Sequence, residues 1–189
     1  MSGRLIIVCA PSGAGKTTIV RHILENIPGV EFSVSATNRP QRANEVNGVD
    51  YYFLNTESFT TKIAGDEFLE WEEVYPGTFY GTLKNEIDRI WNRGNHVIFD
   101  VDVEGGLNIK RHFGGRALLV FIKPPSMEVL KTRLLARATE TEKSYNTRVA
   151  KAEREMEFEK FADYVLINDQ LLHTLPEALQ MAENFLFQD

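Results

Sequence analysis

Residues 10–18 read APSGAGKTT. They follow an apolar run, LIIVC at 5–9, and precede Ile19, Val20, Ile23, Leu24 and Ile27, which share one face of a helix. A buried strand, a glycine-bearing turn and a helix start form the context that a phosphate-binding loop requires. Gly13 and Gly15 let the backbone approach an anion and take positive φ where a Cβ would clash. The first N–H groups of the helix lack intrahelical partners and point at the phosphates, aided by the helix dipole. The loop set is therefore Pro11, Ser12, Gly13, Ala14, Gly15, Lys16, Thr17 and Thr18. Lys16 can reach the β- and γ-phosphates, and the Thr17 hydroxyl can ligate Mg²⁺. The usual pattern opens with glycine, and here that position is Ala10.

Outward from the loop, the chain divides into two textures. After a turn at Pro28-Gly29, residues 31–35 (EFSVS) alternate like a strand, and 36–48 (ATNRPQRANEVNG) form a polar loop. Residues 50–54 (DYYFL) have the aromatic content of a strand. A short helix is expected at 58–64, entered through 55–57. Strands at 68–74 (FLEWEEV) and 78–81 (TFYG) flank the turn at Pro76-Gly77. This β-rich stretch, 35–82, reads as an inserted lobe.

Beyond it, helices alternate with apolar strands. Residues 84–92 read as a helix, and 96–101 (HVIFDV) as a central parallel strand covered on both faces. A helix at 105–113 and a strand at 117–122 (ALLVFI) follow. The helix at 127–136 is expected to bury Val129, Leu130, Leu134 and Leu135. The polar segment 139–144 (TETEKS) interrupts it. Residues 145–161 form a long charged helix whose composition reads as a solvated face. A last strand at 164–167 and a closing helix at 172–187 complete an α/β chain with a parallel sheet between helices.

The bulk numbers agree. A chain of 189 residues, 43% hydrophobic, fits one domain with a sizeable core. The single cysteine, Cys9, falls in the first strand and is expected to be a buried, inert thiol of a reducing compartment. The first apolar run is too short for a secretory signal, and no segment approaches the roughly 20 residues of a membrane span. The expected location is the cytoplasm. A net charge of −6 argues against a nucleic-acid partner. Two groups of arginines, Arg39 with Arg42 and Arg133 with Arg137 and Arg148, suit a small phosphorylated substrate. His22, His96, His112 and His173 lack metal-site spacing.

A second constellation ends the strand at 96–101. Ligands of open α/β sheets sit outside the carboxyl ends of the strands. Asp100 there can hold Mg²⁺ directly or through water. Asp102, two residues on, is expected to point the same way.

With these residues in place, the chain resembles the guanylate kinase family over essentially its whole length. The resemblance is carried by the loop at 11–17, by SATNRPQRANEVNGVDY at 35–51, FLEW at 68–71, YGT at 80–82, DVD at 100–102, residues 133–141 and Asn168-Asp169. It implies an α/β phosphate-loop fold with a three-layer core (1–34, 83–136 and 149–189), a GMP-binding lobe (35–82) and a short helical lid (137–148). The implied reaction is ATP + GMP giving ADP + GDP with Mg²⁺, in purine nucleotide metabolism, with dGMP as a further acceptor. By position, Arg39, Arg42, Tyr51 and Tyr80 would hold the GMP phosphate. Ser35, Glu70, Gly81, Thr82 and Asp102 would form the guanine side, and Glu45 would support the arginines or the ribose side. Arg133, Arg137 and Arg148 would close on the transferring group, and Asn168 would lie near the adenine.

Each role has a physical reason. Arginine offers a planar fork of donors to phosphate oxygens. Guanine presents N1–H and N2–H₂ side by side, and one carboxylate accepts both; adenine has no such pair. Taken alone, Arg39 and Arg42 would pass for solvated charges, Tyr80 for a core aromatic and Asp102 for a helix cap. Ala10, Ala36, Asn38 and Ala138 depart from the family pattern without removing a charge. A non-catalytic interaction module on the same fold is the competing reading. Such modules lose the loop lysine or lid arginines, which this chain keeps. The sequence leaves monomer and homodimer equally open.

Overall fold

The computed structural model describes residues 3–135 and 142–187. Its centre is a five-stranded parallel sheet in the order β2-β7-β1-β8-β9: β1 (Leu5–Cys9), β2 (Val30–Phe32), β7 (His96–Asp100), β8 (Ala117–Lys123) and β9 (Tyr164–Ile167). The sidedness of β1 shows why the strand is apolar throughout. Ile6 and Val8 pack into one core with Ile19, Ile23, Ile98, Val120, Leu130 and Leu134. Leu5, Ile7 and Cys9 face the opposite core with Ile87, Phe99, Ile109 and Phe121. A strand buried on both faces has no polar side to alternate with.

Helices cover both faces: α1 (Lys16–Asn26), α5 (Met127–Leu135), α6 (Glu142–Met156) and α7 (Leu171–Phe187) contribute to the first core, α3 (Lys84–Trp91) and α4 (Val103–Phe113) to the second. A four-stranded sheet stands apart, in the order β4-β3-β6-β5. It is built from β3 (Ala36–Thr37), β4 (Tyr52–Phe53), β5 (Phe68–Tyr75) and β6 (Thr78–Leu83). Its own small core holds Ala36, Phe59 of α2 (Thr56–Ala64), Phe68 and Leu83. Gly81 lets β6 lie close to β5, since an added Cβ would stand 2.7 Å from the Glu70 carbonyl.

Several sequence expectations are corrected. The strand expected at 31–35 is Val30–Phe32: the Ser33 amide still bonds to the Ile98 carbonyl of β7, and the Val34 amide leaves the ladder for the Glu86 side chain. The loop expected at 36–48 begins with β3, which pairs in parallel with β4 and antiparallel to β6. Leu135 is exposed, while Leu134 is fully buried. Residues 142–144 belong to α6 instead of interrupting a helix, and α6 gives way after Met156 to a 3₁₀ turn, Glu157–Phe161. Nor is α6 solvated all round, because Ala152 and Glu155 are buried. Arg137 and Ala138 lie outside the described residues.

Candidate active site

The phosphate-loop candidates connect β1 to α1. Gly13 and Gly15 have φ of +90° and +101°, and Gly15 is the residue that precedes α1. The Ala14 amide donates to the Pro11 carbonyl at 3.1 Å, closing the turn. Lys16 opens α1; its ammonium donates to the Ala10 carbonyl at 3.0 Å and lies 3.9 Å from Asp100. The Thr17 hydroxyl donates to the other Asp100 oxygen at 3.2 Å. Ser12 and Lys16 line the cavity described below, whereas Thr18 is exposed. Beneath the loop, Leu130 and Leu134 of α5 fill the space that a Cβ on Gly13 would enter.

The loop opens onto a cavity of about 280 Å³ between the two sheets. Its lining includes Ser12, Lys16, Asp100 and Asp102 from the side of the loop and β7, and Ser35, Arg42, Tyr51, Glu70, Tyr80 and Gly81 from residues 35–82. Glu70 is buried, and burial pushes its carboxyl up to about 7. Asp102 adds to that rise, and Thr82, buried across the strand pair, opposes it. Gly105 makes room for this carboxylate: a Cβ there would stand 2.7 Å from a Glu70 oxygen.

The loop between β3 and β4 is tied together through Glu45. Arg39 donates to both oxygens of Glu45, at 2.6 and 2.7 Å, and to the Tyr80 hydroxyl at 3.2 Å. Its guanidinium lies over the rings of Tyr51 and Phe53. Arg42 is mostly exposed, 3.8 Å from Glu45. This bonding pulls the Glu45 carboxyl down to about 2.

The guanylate kinase family model matches residues 2–184. The chain belongs to the guanylate kinase family. It is 46% identical to a guanylate kinase of Bacteroides thetaiotaomicron, over 98% of this chain and 91% of that one. A guanylate kinase of Salinibacter ruber is 45% identical over 96% of both chains. The crystal structure of guanylate kinase from Anaplasma phagocytophilum matches with a TM-score of 0.80 at 25% identity, covering 99% of this chain and 88% of that one.

Against this family pattern, the remaining candidates fall in two places. Arg148 of α6 lines the cavity. Arg133 of α5 does not; it donates to the Asn168 carbonyl at 3.1 Å. Asn168 follows β9 and is buried, its side-chain amide donating to Ala14 of the loop at 2.7 Å. Asp102 caps α4, accepting from the Gly105 amide at 2.9 Å, and still lines the cavity. It lies past the end of β7, so strand alternation with Asp100 does not extend to it.

Sequence reasoning missed Glu155, Lys151, Glu72 and Tyr75, all of which line the cavity. Glu155 is buried, its carboxyl is raised chiefly by burial, and Lys151 lies 3.6 Å away. The signal was present in the register of α6: Arg148, Ala152 and Glu155 are spaced by four and three residues, one helical face. Among the described residues no group of three or more His, Cys, Asp or Glu could hold a metal, and no helix is long and apolar enough to cross a membrane.

Proposed function

We propose that this chain is an ATP:GMP phosphotransferase, moving the γ-phosphoryl group of ATP to GMP, or dGMP, to give ADP and the nucleoside diphosphate. One observation carries the reading: a single cavity is lined both by the loop lysine and by a buried carboxylate, Glu70. The lysine end suits a triphosphate tail. A buried carboxylate whose ionised form Thr82 compensates only in part suits a pair of N–H donors, which guanine supplies and adenine does not.

In this reading residues 35–82 are the GMP-binding lobe, residues 137–148 the lid, and the rest the core. Arg39, Arg42, Tyr51 and Tyr80 take the GMP phosphate. Glu45 keeps the Arg39 fork aligned, as its two-oxygen grip supports. Ser35, Glu70, Gly81, Thr82 and Asp102 shape the guanine pocket. Arg148, which lines the cavity, neutralises charge around the transferring group, and Arg133 and Arg137 carry the same proposal on the family pattern alone.

The residues present fit Mg²⁺. The Thr17 hydroxyl and the Asp100 carboxylate converge at the loop, hard oxygen donors of the kind that ion prefers. The small number of protein oxygens agrees with an ion that keeps waters and phosphates in its shell. When bound, Mg²⁺ neutralises charge on the phosphates. The chain's own contribution is alignment: the loop amides and Lys16 fix the donor, and Arg39 and Arg42, in the loop between β3 and β4, aim the acceptor oxygen in line. The acceptor phosphate, with a second pKa near ~6, is already largely ionised at neutral pH, so the reaction needs no dedicated base.

A coupled assay of ADP release tests this with ATP and a panel of monophosphates. GMP and dGMP are expected to turn over, and AMP, CMP and UMP to stay near background. Equal rates with AMP would overturn the reading of Glu70, and no ADP release with any acceptor would overturn the activity.

A further inference from the structure

Asn168 occupies a place that adenine contact does not explain. It stands just beyond β9, its backbone amide held by the Lys123 carbonyl at 2.7 Å, so the sheet fixes its position. Its side chain is 4% exposed, and its amide nitrogen donates to the Ala14 carbonyl at 2.7 Å, across 154 residues of sequence. The peptide plane makes this contact consequential. In a trans peptide the Ala14 carbonyl and the Gly15 N–H point in opposite directions from one rigid unit, and the chain has no cis bond among the described residues. A partner that fixes the carbonyl therefore fixes the N–H as well. The Gly15 N–H is one of the donors at the start of α1 that would meet a phosphate.

The fit is built from both sides. A Cβ on Gly15 would collide with the Asn168 amide nitrogen, so glycine there serves this contact as well as its φ of +101°. Arg133 donates to the backbone carbonyl of Asn168 at 3.1 Å, which fixes the main chain that carries this side chain. Left without Asn168, the Ala14 peptide could turn over, presenting a carbonyl oxygen where an anion expects a donor.

We propose that Asn168 is a positioning residue for the phosphate loop: it sets the Ala14–Gly15 peptide so that the Gly15 N–H faces the anion. The proposal rests on reading residues 10–18 as the phosphate site, and its test does not depend on turnover. Asn168→Ala removes the donor, and Asn168→Leu removes it while keeping nearly the same volume. Binding of magnesium tripolyphosphate, which has no base, and of adenosine, which has no phosphate, is measured by calorimetry on both variants.

Tripolyphosphate affinity should fall about tenfold in both, with adenosine within about twofold of the parent chain. Tripolyphosphate affinity within twofold of the parent in either folded variant overturns the proposal, and loss confined to adenosine makes Asn168 a base-reading residue instead. A measurement without any variant guards against misfolding. In the ¹⁵N spectrum of the parent chain, the Asn168 side-chain amide should shift with tripolyphosphate and stay with adenosine, and the reverse pattern overturns the assignment.

Discussion

Arg39 grips both oxygens of Glu45, at 2.6 and 2.7 Å, and Glu45 in turn accepts the Arg42 backbone amide at 2.9 Å. One carboxylate thus shapes the whole turn that carries the two arginines. Its folded pKa of about 2 lies below the ordinary 4.5. A depressed carboxylate gives stability that is complete above the unfolded value and is lost as pH falls through the folded one. Glu45→Gln should therefore lower Tm by ~2–4 °C at pH 7, the effect of about 1 kcal/mol in a chain this long, and the gap to the parent should close between pH 4.5 and 2. Thermal melts across that window check it.

Glu70 runs the opposite way. Its folded pKa of about 7 exceeds the ordinary 4.5, so the folded chain holds the proton more tightly and loses stability as pH rises between those values. Glu70→Gln should raise Tm at pH 8 by ~3–6 °C, or about 1–2 kcal/mol, with the gain vanishing toward pH 4.5. The same variant should lose ~10²-fold or more of its preference for GMP over AMP. In the parent chain, binding of guanosine, which has no phosphate to titrate, should strengthen from pH 6 to pH 8 as Glu70 ionises with Asp102 and Glu72 nearby. Flat guanosine binding over that range would argue against Glu70 as the acceptor.

Gly105→Ala separates local propensity from site geometry. An alanine inside a helix ordinarily gains about 1 kcal/mol over glycine. Here its Cβ would stand 2.7 Å from a Glu70 oxygen, so the carboxylate must move. The expected result is a rise in KM for GMP of ~10-fold or more with KM for ATP within ~2-fold. Steady-state kinetics on the two substrates reads the split.

Leu134 and Leu135 are sequence neighbours with opposite surroundings. Leu134 is 0% exposed and packs beneath Gly13; Leu135 is 62% exposed. Leu134→Ala should cost ~2–5 kcal/mol and loosen the phosphate loop above it. Leu135→Ala should stay within about 0.5 kcal/mol of the parent. Urea titrations with an unchanged m-value measure both.

The contrast between these two leucines shows where sequence reading ran out. Periodicity placed α5, but it did not say how wide the buried stripe is: Leu135 lies about 100° round the helix from Leu134, beyond what the core covers. β1, the loop and α1 were legible because strand, glycines and helix follow one another locally. β7 and β8 were legible because a strand buried on both sides leaves an unbroken apolar run. β3 was hidden: two residues, Ala36 and Thr37, show no alternation, and their pairing with Tyr52 and Tyr80 is long-range. Glu155 was lost among the charges of α6, since burial of one carboxylate depends on what packs against it. The Asn168–Ala14 contact joins chain segments 154 residues apart, and no local pattern announces it.

The most direct test follows both products in one tube. The purified chain, with Mg²⁺, ATP and GMP, is watched by ³¹P NMR beside its Lys16→Ala variant. The account predicts ADP and GDP rising in equal amounts with little inorganic phosphate, and a loss of ~10³-fold or more in the variant while GMP binding stays within ~2-fold. Inorganic phosphate in place of GDP, no GDP at all, or an unchanged rate in the variant would contradict it.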